Sequence, residues 1–202
     1  MSERQEGVGM NFGKDIVNID LECTGTDSRL YSICEIGAVL LDRCTLEIKG
    51  EFESLIFPYR ENFDSRAMKV HGIPKEDLYR APTLVDVLDT FQLWILREAG
   101  VESERKVCLS AWGAYFDIPY LKEAYSFLNR EYPFDSRYFD IKAIARWEFA
   151  LMNQAFTKGG IGRCSRLLNI PFDETRRHRA LEDARLGGLV IKELKERRTQ
   201  SL

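Results

Sequence analysis

The sequence is most informative first in what it lacks. No apolar run reaches the length needed to cross a bilayer, and the N-terminus has no apolar core of the signal-peptide kind. No C-x-x-C pair occurs, and the five cysteines are odd in number and scattered, so neither a zinc site nor a disulfide framework is suggested. They read as reduced thiols of a cytoplasmic protein. Histidine is scarce: His71 and His178 are the only two. Excess positive charge is absent too. A net charge of -3 argues against an architectural DNA binder, which would be basic. It does not argue against an enzyme whose acidic site meets nucleic acid through metal. Internal repeats, low-complexity stretches and linkers are all missing.

What remains is ordinary for a soluble protein: 202 residues, 45% hydrophobic and 30% charged. Residues 1–13 are polar and read as a flexible lead, and 14–202 as a single domain. The pattern predicts strands over 15–21, 32–42 and 45–58, joined as an antiparallel meander. A short helix over 62–72 follows. The clearest helix spans 83–99, with Thr83 as N-cap and Gly100 closing it. A fourth strand is predicted over 106–111. A helix then opens at Asp117 with Pro119 in its first turn. A short strand over 138–141, a helix over 142–152, a glycine loop over 158–162 and a helix over 163–168 come next. His178 precedes or starts a long last helix, where Gly187-Gly188 suggests close packing on the sheet. Strands first, then strands alternating with helices, predict an α/β fold with a mixed five-stranded sheet flanked by helices.

One stretch, Val17-Asn18-Ile19-Asp20-Leu21-Glu22-Cys23-Thr24-Gly25, carries two acids one residue apart at the end of an apolar run. Side chains i and i+2 of a strand point to the same face, so Asp20 and Glu22 project together. Read alone, they are a solvated pair. Asp117, read alone, is a helix cap, and His178 a solvated histidine in a charged stretch. On an ideal helix His178 and Asp183 would lie about 140° apart. Cooperation between them therefore places His178 at or before the helix start.

Taken in order, Asp20-x-Glu22-x-Thr24-Gly25, Phe116-Asp117 before Tyr120-Leu121, and His178-x-Ala180-x-x-Asp183 resemble the three motifs of the DEDDh 3′–5′ exonucleases. That family includes the proofreading subunit of bacterial replicative polymerases, ribonuclease T and oligoribonuclease. The resemblance implies a ribonuclease H-like fold. It implies two divalent metals, Mg²⁺ or Mn²⁺, held by Asp20, Glu22, Asp117 and Asp183, with His178 as general base. It also implies substrate contacts at Thr24, Gly25, His71 (in Val70-His71-Gly72-Ile73), Phe116 and Arg179, and a supporting acid at Asp140. Trp112-Gly113-Ala114-Tyr115 departs from the asparagine-containing phrase of relatives, which bears on substrate preference.

Arg176, Arg177 and Arg179 read as phosphate contacts around the base, extended by Lys158, Arg163 and Arg166. Phe12, Leu30, Tyr31 and Trp112 are candidate base-stacking residues. The expected activity is removal of nucleoside 5′-monophosphates from single-stranded DNA or RNA 3′ ends. The alternatives are digestion of very short RNA and a non-cutting binding module. The expected partner is single-stranded nucleic acid, with no membrane. A second copy, or a polymerase or RNA-processing protein acting in trans, completes the expected assemblies.

Overall fold

The computed structural model describes residues 11–200. β1 (Ile16–Cys23), β2 (Ile33–Leu41) and β3 (Ile48–Leu55) form the expected antiparallel meander. After α1 (Ser65–His71), α2 (Lys75–Leu78) and α3 (Leu84–Ala99), β4 (Cys108–Ala111) joins β1 in parallel. α4 (Ala114–Phe127) leads to β5 (Tyr138–Asp140), which is parallel to β4. α5 (Ile141–Leu151), α6 (Ile161–Leu167) and α7 (Ala180–Gln200) complete the order. The sheet runs β3-β2-β1-β4-β5, mixed and five-stranded as predicted.

Burial follows from position in the sheet. β2 is covered on both faces and buried throughout, so it reads as an apolar run interrupted by one acid, Glu35. β1 divides its side chains. Val17, Ile19, Leu21 and Cys23 enter a core with α3 and α4, whereas Ile16 packs with α5, α6 and α7. Asp20 and Glu22 share the phase of Ile16 and so face the α7 side.

Several boundaries differ from the prediction for local reasons. β3 starts at Ile48 rather than residue 45. The Asp42 carboxylate accepts the N–H groups of Cys44 and Thr45, and Leu46 takes φ +61°, so these residues form the hairpin turn. α4 begins at Ala114, three residues before Asp117, which moves Pro119 into the second turn. Gly113 makes this earlier start possible by taking the N-cap at φ +77°. Ile161 and Gly162 belong to α6 rather than to the glycine loop. Thr83 and Gly100 cap α3 as expected, and Asp64 caps α1.

Of the predicted lead, residues 1–10 lie outside the described residues. Phe12 donates its N–H to the Arg43 carbonyl and stacks edge-on against Phe139. It lies beyond the N-terminal end of β1, opposite the end that carries Asp20 and Glu22, and so is no base-stacking residue for that site.

Candidate active site

β1, β4 and β5 run parallel, so their C-terminal ends share one edge of the sheet. Ile19 pairs with Ala111, and Ala111 with Asp140. Beyond that row β1 continues alone on the β4 side. Leu21 therefore has no ladder partner there, and Asp117 Oδ1 accepts its N–H at 3.0 Å. The short β4 thus places Asp117 beside Asp20 and Glu22. The register with β2 shifts between Glu22 and Cys23, which pairs with Ile33; this is a bulge of the kind found at sheet ends near sites.

Asp183 arrives from the other side, in the first turns of α7. That helix lies unusually close to the sheet. A Cβ on Gly37 would stand 2.1 Å from the Ala180 carbonyl carbon, and one on Gly187 2.5 Å from Asn18 Nδ2. The predicted role of Gly187-Gly188 is thereby met. Asn18 donates to the Ala184 carbonyl at 2.7 Å and accepts from Ser110 Oγ at 2.9 Å, tying β1, β4 and α7 together.

His178 precedes α7 on an exposed left-handed turn at φ +63°. Donor atoms of Glu22, His178 and Asp183 lie within 4.8 Å of one another. Asp20 is half-buried, while Glu22, Asp117 and Asp183 are buried. Burial, then the charge of its acidic neighbours, pushes the Glu22 carboxyl up to about 9. Asp20 is raised by burial first, then by Asp117, Glu22 and Asp183. Burial raises Asp117 to about 7 against the opposing Leu21 hydrogen bond. The acids are therefore short of positive charge, and Arg177 is the cation that opposes the shifts of Asp20 and Glu22.

Three arginines surround His178, and each is already paired. Arg176 meets Glu182 at 2.5 Å. Arg177 forks onto Asp183 at 2.6 and 3.2 Å. Arg179 grips the fully buried Glu35 at 2.6 Å, and Glu35 also accepts the Ala180 N–H at 2.9 Å. Glu35 sits directly opposite Glu22 in the β1/β2 ladder. Sequence reading missed Glu35, Asn18 and Ser110. The signal was present: an acid within the apolar run of β2, and an asparagine two residues before Asp20.

The remaining expected contacts are occupied in other ways. The Thr24 hydroxyl donates to the Asn62 carbonyl and accepts from Ser32 N–H, joining β1 to the approach to α1. The Tyr31 ring lies directly against Gly25, where a Cβ would meet it at 2.2 Å. His71 is buried and accepts the Ile73 N–H through Nδ1 at 3.0 Å; burial pushes its pKa down, keeping it neutral. Phe116 packs on Tyr120, whose hydroxyl donates to the Gly25 carbonyl. Trp112 turns into the α5–α7 core against Phe156, so it is not a stacking surface. Arg163 bonds the Lys158 carbonyl, and Arg166 pairs with Glu174.

The RNase_T family model, described as "Exonuclease", matches residues 17–187. The chain belongs to this exonuclease family. It is similar to a PolC-type DNA polymerase III of Thermotoga petrophila, 29% identical over 178 residues, covering 87% of this chain and 11% of that protein. It is also similar to DNA polymerase III subunit epsilon of Buchnera aphidicola, 30% identical over 128 residues, or 60% of this chain and 48% of that one. The chain thus spans about a tenth and about half of these two relatives. Among solved structures it resembles the nuclease domain of 3′hExo, a DEDDh family member bound to rAMP. The TM-score is 0.74 at 21% identity, covering 92% of this chain and 94% of that chain. This exonuclease therefore has the ribonuclease H-like α/β fold. No helix among its described residues is long and apolar enough to cross a membrane.

Proposed function

We propose that this exonuclease is a DEDDh-type, metal-dependent 3′–5′ enzyme that releases nucleoside 5′-monophosphates from single-stranded DNA or RNA. The observation that carries the reading is the meeting of Asp20, Glu22, Asp117 and Asp183 with His178 at one sheet edge. The donor set fits divalent metal: hard carboxylate oxygens, mutually repelling, with protons held well above the usual carboxylate range. Asp20, Glu22, Asp117 and Asp183 would hold two Mg²⁺ or Mn²⁺ ions. When bound, such ions supply charge stabilisation and an acidified water.

The chain's own residues supply the rest. His178, exposed on its turn, accepts the proton of the attacking water at a ring nitrogen. Its backbone N–H reaches Asp183 at 3.4 Å, and the next residue, Arg179, is anchored to Glu35, so the exposed base hangs between two fixed points. Leu21 N–H orients Asp117. The bond broken lies between the terminal phosphorus and the 3′-oxygen of the penultimate nucleotide. Thr24, Gly25, His71 and Phe116 frame the terminal nucleotide, in this reading, by shaping the wall from β1 to α4. The likeness to polymerase III proteins supports action alongside a DNA polymerase.

The test offers matched 5′-labelled single-stranded DNA and RNA with Mg²⁺, Mn²⁺ or chelator. A ladder shortening from the 3′ end only with metal is expected. Internal cutting, or an undiminished rate in chelator, overturns the proposal.

A further inference from the structure

An open groove of about 640 Å³ lies beside the acidic site, lined by Tyr115, Asp140, Lys142, Ala143, Arg146, Trp147 and Ala150. It begins where the C-terminal ends of β4 and β5 meet. Tyr115 stands two residues before Asp117 in α4, and its ring lies over Gly113, where a Cβ would also come near the Lys142 stem. The groove then follows the first turns of α5.

Two large aromatic side chains are exposed here against the usual preference for burial: Tyr115 at 72% and Trp147 at 66%. Neither ring stacks on another aromatic among the described residues. Lys142 has no ion-pair partner there, and Arg146 spends one nitrogen on the Thr157 carbonyl at 3.1 Å. On a chain of net charge -3, two cations set between two bare aromatic faces mark a local surface of opposite character. Asp140 accepts the Ala143 N–H as helix cap, and its charge also reaches Asp117.

We infer that this groove holds the nucleotides just upstream of the scissile bond, with Tyr115 and Trp147 stacking on bases and Lys142 and Arg146 contacting phosphates. The inference rests on the exonuclease reading for its direction. Stacking on aromatics is tolerant of base identity, and cations track the backbone; together they suit single-stranded nucleic acid. The groove reaches Asp140, which lies in the row Ile19–Ala111–Asp140, two strand spacings or roughly 10 Å from β1, the strand that carries Asp20 and Glu22. A strand whose 3′ end lies at Asp20 and Asp117 has its upstream part within reach of α5.

The test measures fluorescence anisotropy of 5′-fluorescein-labelled decathymidylate in chelating buffer, where no cutting occurs. Trp147→Ala is expected to weaken binding by about 5- to 150-fold, the range for losing one base stack. Lys142→Glu with Arg146→Glu is expected to weaken binding and to flatten the salt dependence. Leu93→Ala, on the exposed face of α3, serves as control. In parallel, Mn²⁺-supported turnover of the p-nitrophenyl ester of thymidine 5′-monophosphate, which has no upstream nucleotide, is compared with that of the decamer. The KM of the decamer should rise at least about fivefold more than that of the ester in Trp147→Ala. Undiminished decamer affinity in both groove variants overturns the inference and points to another occupant, such as a protein. If the wild-type protein binds the decamer through Trp147 yet cuts neither substrate, the catalytic reading fails and the groove stands.

Discussion

Arg177 holds Asp183 in a two-pronged ion pair, Nε to Oδ1 at 2.6 Å and Nη2 to Oδ2 at 3.2 Å, with both side chains largely shielded from water. A guanidinium thus faces the same carboxylate that is proposed to hold metal. It partly offsets a cluster of acids that repel one another.

The first prediction follows from that competition. In Arg177→Ala the Asp183 carboxylate is free, so Mn²⁺ affinity measured by calorimetry should rise. Without metal the fold should weaken by roughly 3 kcal/mol, the low end for breaking a shielded pair. Metal should restore most of the loss in a thermal melt. Unchanged metal affinity would separate Arg177 from the metal site.

A second prediction concerns pH. The Glu22 carboxyl keeps its proton to about 9 in the folded chain, against 4.5 ordinarily, and Asp117 to about 7 against 3.8. Between these values the unfolded chain binds fewer protons than the folded one. Raising pH therefore destabilises the metal-free protein, by up to ~1.4 kcal/mol per pH unit for each group. The loss starts near pH 4 and is complete above about pH 9. Mg²⁺, which needs the deprotonated acids, should raise the melting temperature more at pH 8 than at pH 5. Equal metal stabilisation at both would contradict the shifts.

The Glu35 anchor gives a third. Glu35→Ala leaves the Arg179 guanidinium with only its longer pair to Glu53 at 3.7 Å and leaves Ala180 N–H without its acceptor. A urea titration should show a loss of about 2–3 kcal/mol, as for hydrogen bonds to a charged group. kcat should fall with it, because His178 and Asp183 flank the loosened segment.

A fourth concerns the helix-to-sheet approach. Gly187→Ala drives a methyl onto Asn18 Nδ2, at 2.5 Å in the unrelaxed structure. A destabilisation of about 1–3 kcal/mol is expected from overpacking. Gly188→Ala, where the nearest atom is a Leu41 methyl at 3.1 Å, should cost less. The reverse order would place α7 differently on the sheet.

These residues also show what the sequence could convey. The alternation of β1 placed Asp20 and Glu22 on one face, because a two-residue period depends only on the local backbone. Thr83 and Gly100 marked α3 for the same reason. The α4 start was not legible, because Gly113 caps it through its own left-handed backbone and offers no side-chain signature. Glu35 was hidden in an apolar run, and its meaning depends on Arg179, 144 residues away. The arginines around His178 looked free for phosphate because their partners, Glu182, Asp183 and Glu35, become visible only when the segment folds back on the sheet. Tyr115 was read only as part of a departing phrase and Trp147 not at all, since exposure cannot be read from residue type.

The most direct measurement is digestion of a 5′-labelled single-stranded DNA in Mg²⁺ by Asp20→Asn and His178→Ala beside the wild-type protein, with melting curves for each. The wild-type protein should shorten the strand from its 3′ end. Asp20→Asn should give no ladder while melting at or above the wild-type temperature without metal, because one of the repelling acids is gone. His178→Ala should slow the ladder by about 10²–10⁴-fold. Wild-type turnover in Asp20→Asn would contradict the account.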